Sequence, residues 1–158
     1  MGKINLESFQ QILRLLMEAE QTLAALYRLF AQRSAADAFF WEAIAEQEQG
    51  HAAKIESMLG IVEQKPEKFS VGRMFTLPAV MTFIAGVRDN MDRVRKGELT
   101  PERFVPLALS IETSLLESRF YEMFISTDLE YNALRREIIA ETQIHQRALR
   151  DKNPRVSF

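Results

Sequence analysis

The chain has 158 residues, 47% of them hydrophobic, with a formal net charge of −2 and no cysteine. That length suits one compact domain with its own core and is short for two. Near-balanced charge gives no electrostatic reason to expect nucleic acid or an anionic membrane as partner, and the missing thiols remove disulfides, thiolate zinc sites and cysteine-ligated iron together. Any bound metal must use Glu, Asp and His.

At the N-terminus Met1-Gly2-Lys3-Ile4-Asn5-Leu6 carries no apolar run behind its lysine and lacks the Ser or Thr of a myristoylation signal at position six. The expectation is a cytoplasmic protein. A first helix is predicted from about residue 5 to 33, with Ile12, Leu16, Ala19, Leu23, Leu26 and Phe30 as its apolar stripe. Glu20 falls between Leu16, Leu23 and Tyr27 and therefore points inward. Ser34 followed by Asp37 resembles a capping box and opens a second helix to about residue 59, where Gly60 suits a C-terminal cap. The short connection makes these two an antiparallel hairpin. On the second helix Trp41, Ile44, Glu48, His51, Ala52, Ile55 and Met58 share one side, and Gly50 is read as a close approach of a neighbouring helix.

Residues 61–99 form a long connection with a shorter helix at about 77–96, stopped by Gly97. The most apolar stretch, 74–87, is shorter than a membrane span and interrupted by Pro78, which points to a buried or interface helix. A helix of about 25 residues is ~37 Å long, and such a connection can run that length to start the next hairpin at the opposite end. Thr100-Pro101-Glu102 suits the start of a third helix, running to about residue 125. It carries Glu112 among Val105, Ala108, Leu109, Leu115 and Leu116, with Glu117 as the alternative if the register shifts. Asp128 caps a fourth helix that ends near residue 150 and places Glu141 and His145 between Ile138 and Ala148; residues 151–158 read as a mobile tail. No alternating strand is evident. The expected fold is all-α, a single domain over 1–150 made of two antiparallel helix hairpins, about 5–60 and 100–150, joined by a crossover at 61–99.

The chain's two histidines each follow a glutamate by one helical turn, Glu48 before His51 and Glu141 before His145. Glu20 precedes Glu48 by nearly the interval that separates Glu112 from Glu141, so the halves repeat each other. Glu and His one turn apart present two ligands on one helix face, and two such helices can enclose two metal ions. An ionised carboxylate in an apolar interior costs several kcal/mol unless paired or bound to metal, and four together repel one another. Two divalent cations balance four such charges, whereas inward-facing Lys or Arg is scarce, Arg119 being the exception.

These residues resemble the ferritin-like di-iron carboxylate proteins, and among them the rubrerythrin-like branch. The match lies in Glu20 with Tyr27 seven residues on, then Glu48-Gln49-Gly50-His51, and a similar second half. The resemblance implies a ferritin-like four-helix bundle that commonly forms a homodimer, with Glu20 and Glu112 as terminal ligands, Glu48 and Glu141 as bridging ligands and one histidine per metal. It implies two iron ions, with manganese or zinc compatible, and Tyr27 beside the ligands. There are departures: Glu141-Thr142-Gln143-Ile144-His145 is one residue longer than Glu-x-x-His, rotating His145 by about 100°. Leu115 stands where peroxidase-type members carry an extra glutamate, and the cysteine-ligated electron-transfer domain is missing. The resulting expectation is a di-iron oxidoreductase that reduces dioxygen or hydrogen peroxide with electrons from a separate donor protein. Two alternatives stand beside it: iron oxidation for storage or transfer, and a non-catalytic bundle with a decayed metal site.

Overall fold

The computed structural model of the protein describes residues 6–71, 77–118 and 124–153. Its helices are α1 (Leu6–Arg33), α2 (Ala38–Gln64), α3 (Leu77–Arg95), α4 (Phe104–Ser118) and α5 (Leu129–Lys152), with two short strands, β1 (Phe69–Val71) and β2 (Phe124–Ser126). The chain is thus an all-α helical bundle. Apolar residues recurring at helical spacing on α1, among them Leu16, Leu23, Tyr27 and Phe30, are buried, as are Trp41, Ile44, Ile55 and Met58 on α2. Withdrawing each such side chain from water contributes roughly 1.5–3 kcal/mol and fixes which face of the helix looks inward.

Side-chain contacts give the helix directions. Lys152, at the end of α5, lies 2.8 Å from Asp37 just before α2, while Lys65 after α2 lies 3.2 Å from Asp128 at the start of α5. These two pins make α2 and α5 antiparallel. Phe30, late in α1, stacks on Phe104, early in α4, at 4.1 Å, and Tyr27 reaches Glu112 about two turns further along α4. Helix α4 therefore runs against α1, and α3 lies along α1 and buries Val80, Ile84, Val87 and Met91. Among the described residues no helix is long and apolar enough to cross a membrane.

Several boundaries differ from the sequence expectation. Ser34 makes no side-chain cap; a 3₁₀ turn, Ala35–Asp37, precedes α2, and the Asp37 carboxylate is engaged by Lys152 instead of a backbone amide. Gly60 lies inside α2, which continues to Gln64 because Ile61 and Val62 remain buried, outweighing a glycine penalty of about 1 kcal/mol. Among the described residues nothing lies within 4 Å of a Cβ placed on Gly50, so none of the described helices approaches it closely. Thr100 likewise precedes a 3₁₀ turn, Pro101–Arg103, and not α4 directly.

The predicted third helix to about residue 125 overran: Phe124–Ser126 is extended and pairs antiparallel with Phe69–Val71, Ser70 opposite Ile125. Three-residue strands are too short to show a period in sequence. Helix α5 runs to Lys152, two residues past its expected end, and Lys152 meets Asp37; residues 154–158 of the expected mobile tail lie outside the described residues. Two boundary readings hold. Asp128 caps α5 by accepting a 2.9 Å bond from the Tyr131 amide, and Gly97, at φ 75°, lets the chain leave α3.

Candidate metal centre

Four helices bring carboxylates and imidazoles to one place in the core. On α1, Glu20 sits between buried Leu16 and Leu23; on α2, Glu48 and His51 interrupt the buried stripe from Trp41 to Met58; on α4, Glu112 lies beside buried Ala108 and Leu115. On α5, His145 lies on the buried line Ile138, Thr142, Leu149. Glu20, Glu48, His51, Glu112 and His145 are all buried. Their ligand atoms form two groups, Glu20–Glu48–His51 and Glu48–Glu112–His145, each with its atoms within 4.8 Å of one another.

Glu48 is the shared member. Its Oε2 lies 3.0 Å from Nδ1 of His51, and its Oε1 lies 3.1 Å from Nδ1 of His145. The imidazole rings stack with centroids 5.5 Å apart. Glu20 is 3.7 Å from His51 Nδ1, and Glu112 is 3.9 Å from His145 Nδ1. Each half thus offers one private carboxylate, one imidazole nitrogen and one oxygen of Glu48.

Glu141 takes a different place. It belongs to neither group, its side chain is 37% exposed, and its oxygens are divided between His51 Nε2 and Lys54 Nζ, each at 2.7 Å. One residue on, at the Glu position of a Glu-x-x-His spacing, Thr142 is 4% exposed and donates its hydroxyl to the Ile138 carbonyl at 2.8 Å. Three residues close to the site escaped the sequence reading: Lys54, Thr142 and Gln47, whose amide oxygen meets His145 Nε2. For Lys54 the available signal was its place one turn after His51, but its partner lies on another helix.

Burial and mutual repulsion shape the protonation of the cluster. Burial, reinforced by Glu20, pushes the Glu48 carboxyl up to about 8 against the opposing pull of His51. Burial and the neighbouring Glu48 raise Glu112 well above the carboxylate range, despite His145 and the Tyr27 hydroxyl. Burial lowers His51, but its contacts with Glu20 and Glu48 prevail and carry it up to about 11. Burial lowers His145, with Glu112 opposing and the charge on His51 adding to the fall. Burial acts to raise Glu141, yet Lys54 and His51 hold it below the usual range.

Tyr27 is fully buried, against Trp41 and Phe30, and its hydroxyl donates to Glu112 Oε1 at 2.7 Å. The other oxygen of Glu112 is buried with no hydrogen-bond partner. A buried carboxylate oxygen left without a donor is costly, and a cation is the partner that such an atom accepts. Carboxylate and imidazole donors suit iron, manganese or zinc, so the donor set fits a metal centre. Leu115 is buried on the same helix, whereas the Glu117 side chain and Arg119 lie outside the described residues. No family model, no curated protein and no solved structure matches the chain.

Proposed function

We propose that the chain is a di-iron protein of the rubrerythrin-like kind, reducing dioxygen or hydrogen peroxide with electrons from a separate donor protein. One observation carries the reading: two buried carboxylate–imidazole groups share Glu48, one oxygen to each side. Glu20 and His51 would hold one ion, Glu112 and His145 the other, with Glu48 between them. When bound, the iron pair supplies the redox equivalents that dioxygen or peroxide consumes.

The chain's own residues prepare the place for that chemistry. Tyr27, Phe30, Trp41 and Phe104 pack as an aromatic group beside Glu112 and keep bulk water from that side. Tyr27 orients Glu112 through a 2.7 Å hydrogen bond to its Oε1. The same oxygen and nitrogen donors accommodate manganese or zinc, and elemental analysis of protein purified from cells tells these apart.

Anaerobic loading with Fe(II), followed by metal analysis and visible spectra after peroxide addition, tests the proposal. The expected result is about two ions per chain, falling below about one in Glu48→Ala, with an absorption change on peroxide addition only in the parent protein. Less than about one ion per chain in the parent protein would overturn it. Iron accumulating far beyond the ligand set would instead support storage.

A further inference from the structure

The two histidines turn the same nitrogen, Nδ1, toward the carboxylate cluster and leave Nε2 pointing away from it. Behind His51 stands Glu141, and behind His145 stands the amide oxygen of Gln47. A ligating imidazole holds its proton on the other nitrogen, where a hydrogen-bond acceptor fixes both the tautomer and the ring plane. An anionic acceptor makes the ring a stronger donor to metal than a neutral amide does.

We infer that Glu141, clamped by Lys54, is a positioning residue for His51 and not a ligand, which makes the Glu20–Glu48–His51 position the tighter of two unequal metal positions. The inference rests on the two-metal reading above and departs from the bridging role that the family resemblance implies for Glu141. Both oxygens of Glu141 are already engaged, Oε1 by Lys54 and Oε2 by His51, so neither is left facing the cluster. Glu137, 3.5 Å from Lys54, adds a second negative charge that keeps the lysine at this place. The helical register explains the arrangement. At Thr142 a carboxylate would enter the core beside His145; one residue earlier it emerges between α5 and α2, where the next ring it meets is His51.

Co(II) serves as probe, because its visible spectrum reports ligation at each position. With His145→Ala the His51 position is measured alone, and with His51→Ala the His145 position is measured alone. Glu141→Gln keeps an acceptor behind His51 but removes its charge. It is expected to weaken Co(II) binding about 10–100-fold in the His145→Ala background and to leave the His51→Ala background unchanged. Gln47→Glu is expected to tighten the His145 position in the His51→Ala background.

Equal losses from Glu141→Gln in both backgrounds would mark Glu141 as a shared ligand and overturn the inference, as would no loss in either. Failure of the parent protein to bind Co(II) would strike the two-metal reading itself, so the two failures are distinguishable. Melting curves of the metal-free variants confirm that each is folded. Glu141 is half-buried and Gln is isosteric with it, so the substitution disturbs the core little.

Discussion

In the α1–α2 hairpin, Glu48 and His51 lie three residues apart and both enter the core, whereas in the α4–α5 hairpin Glu141 precedes His145 by four and stays half-exposed. The side chains are the same pair of chemical types, one turn apart on a long helix. What differs is which line of the helix faces the bundle centre. On α2 that line includes the glutamate; on α5 it includes Thr142, and the glutamate is displaced onto the back of the other hairpin's histidine. A shift of one residue therefore turns the second candidate bridging carboxylate into an outer support and leaves Glu48 alone between the two halves. The charge balance changes with it. Among the described residues three carboxylates lie in the cluster, and Glu141 is answered by Lys54.

Exchanging the residues at 141 and 142 breaks the comparison most directly, and the largest effect is expected there. The double variant Glu141→Thr, Thr142→Glu restores Glu-x-x-His on α5 and places a fourth carboxylate in the core. Without metal it should lower stability by several kcal/mol, because the new group is buried among like charges and the Lys54 contact is lost. With metal bound the loss should shrink or reverse. Differential scanning calorimetry of both states measures this, and equal melting points for parent and variant without metal would show that position 142 does not face the cluster.

How far the residues themselves disclosed the centre follows from the same comparison. The Glu48–His51 half was legible because Trp41, Ile44, Ile55 and Met58 mark the buried line without ambiguity, and the facing of Glu20 and Glu112 follows from their apolar neighbours in the same way. The direction of Glu141 was not legible. Residues three and four apart both share a face with the histidine, so spacing alone leaves open which one enters the core. Lys54 and Gln47 acquire their roles only through contacts across helices, with Glu141 and His145 respectively. The fold shows the same division between periodic and local signals. Long stripes gave the helices, while the Phe69–Val71 and Phe124–Ser126 pairing depends on two short segments far apart in the chain. Ser34 makes no side-chain cap because the Asp37 amide bonds its backbone carbonyl in the 3₁₀ turn, while the Asp37 carboxylate meets Lys152, a partner that no local motif reveals.

A pH series sharpens the comparison, since the two imidazoles move in opposite directions. The Glu48 carboxyl rises from 4.5 to about 8 in the fold, so between those values the folded chain binds more protons than the unfolded one and stability falls as pH rises. His51 adds to the fall: its value climbs from 6.5 to about 11, giving stability that is complete below 6.5 and lost toward 11. His145 is lowered and contributes the opposite slope below its ordinary value. The metal-free protein should therefore lose thermal stability from pH 6.5 to 8, the window shared by Glu48 and His51. Glu48→Gln and His51→Gln should each flatten that fall, and His145→Gln should leave most of it in place. Metal loading should reverse the slope, because protons and metal compete for the same atoms. A fall that survives Glu48→Gln undiminished would remove Glu48 as its source and leave it to His51 and to Glu112, whose carboxyl is also raised.

The smallest effect separates the halves by their private carboxylates. Glu112 takes one hydrogen bond from Tyr27 at 2.7 Å, and its second oxygen has no hydrogen-bond partner. Tyr27→Phe keeps the ring among Phe30 and Trp41 but removes that donor, leaving a buried carboxyl with less to satisfy it. Losing one partner of a buried polar group costs about 1–3 kcal/mol, and in a domain of this size each kcal/mol lowers the melting temperature by roughly 2–4 °C. The metal-free variant should melt lower by that amount. In the Co(II) experiment the loss should fall on the His145 position, to which Glu112 belongs, and spare the His51 position, whose ligands Tyr27 does not touch. Equal weakening of both would mean that Glu48 transmits the disturbance from one half to the other, and the two positions would then have to be treated as one cooperative unit.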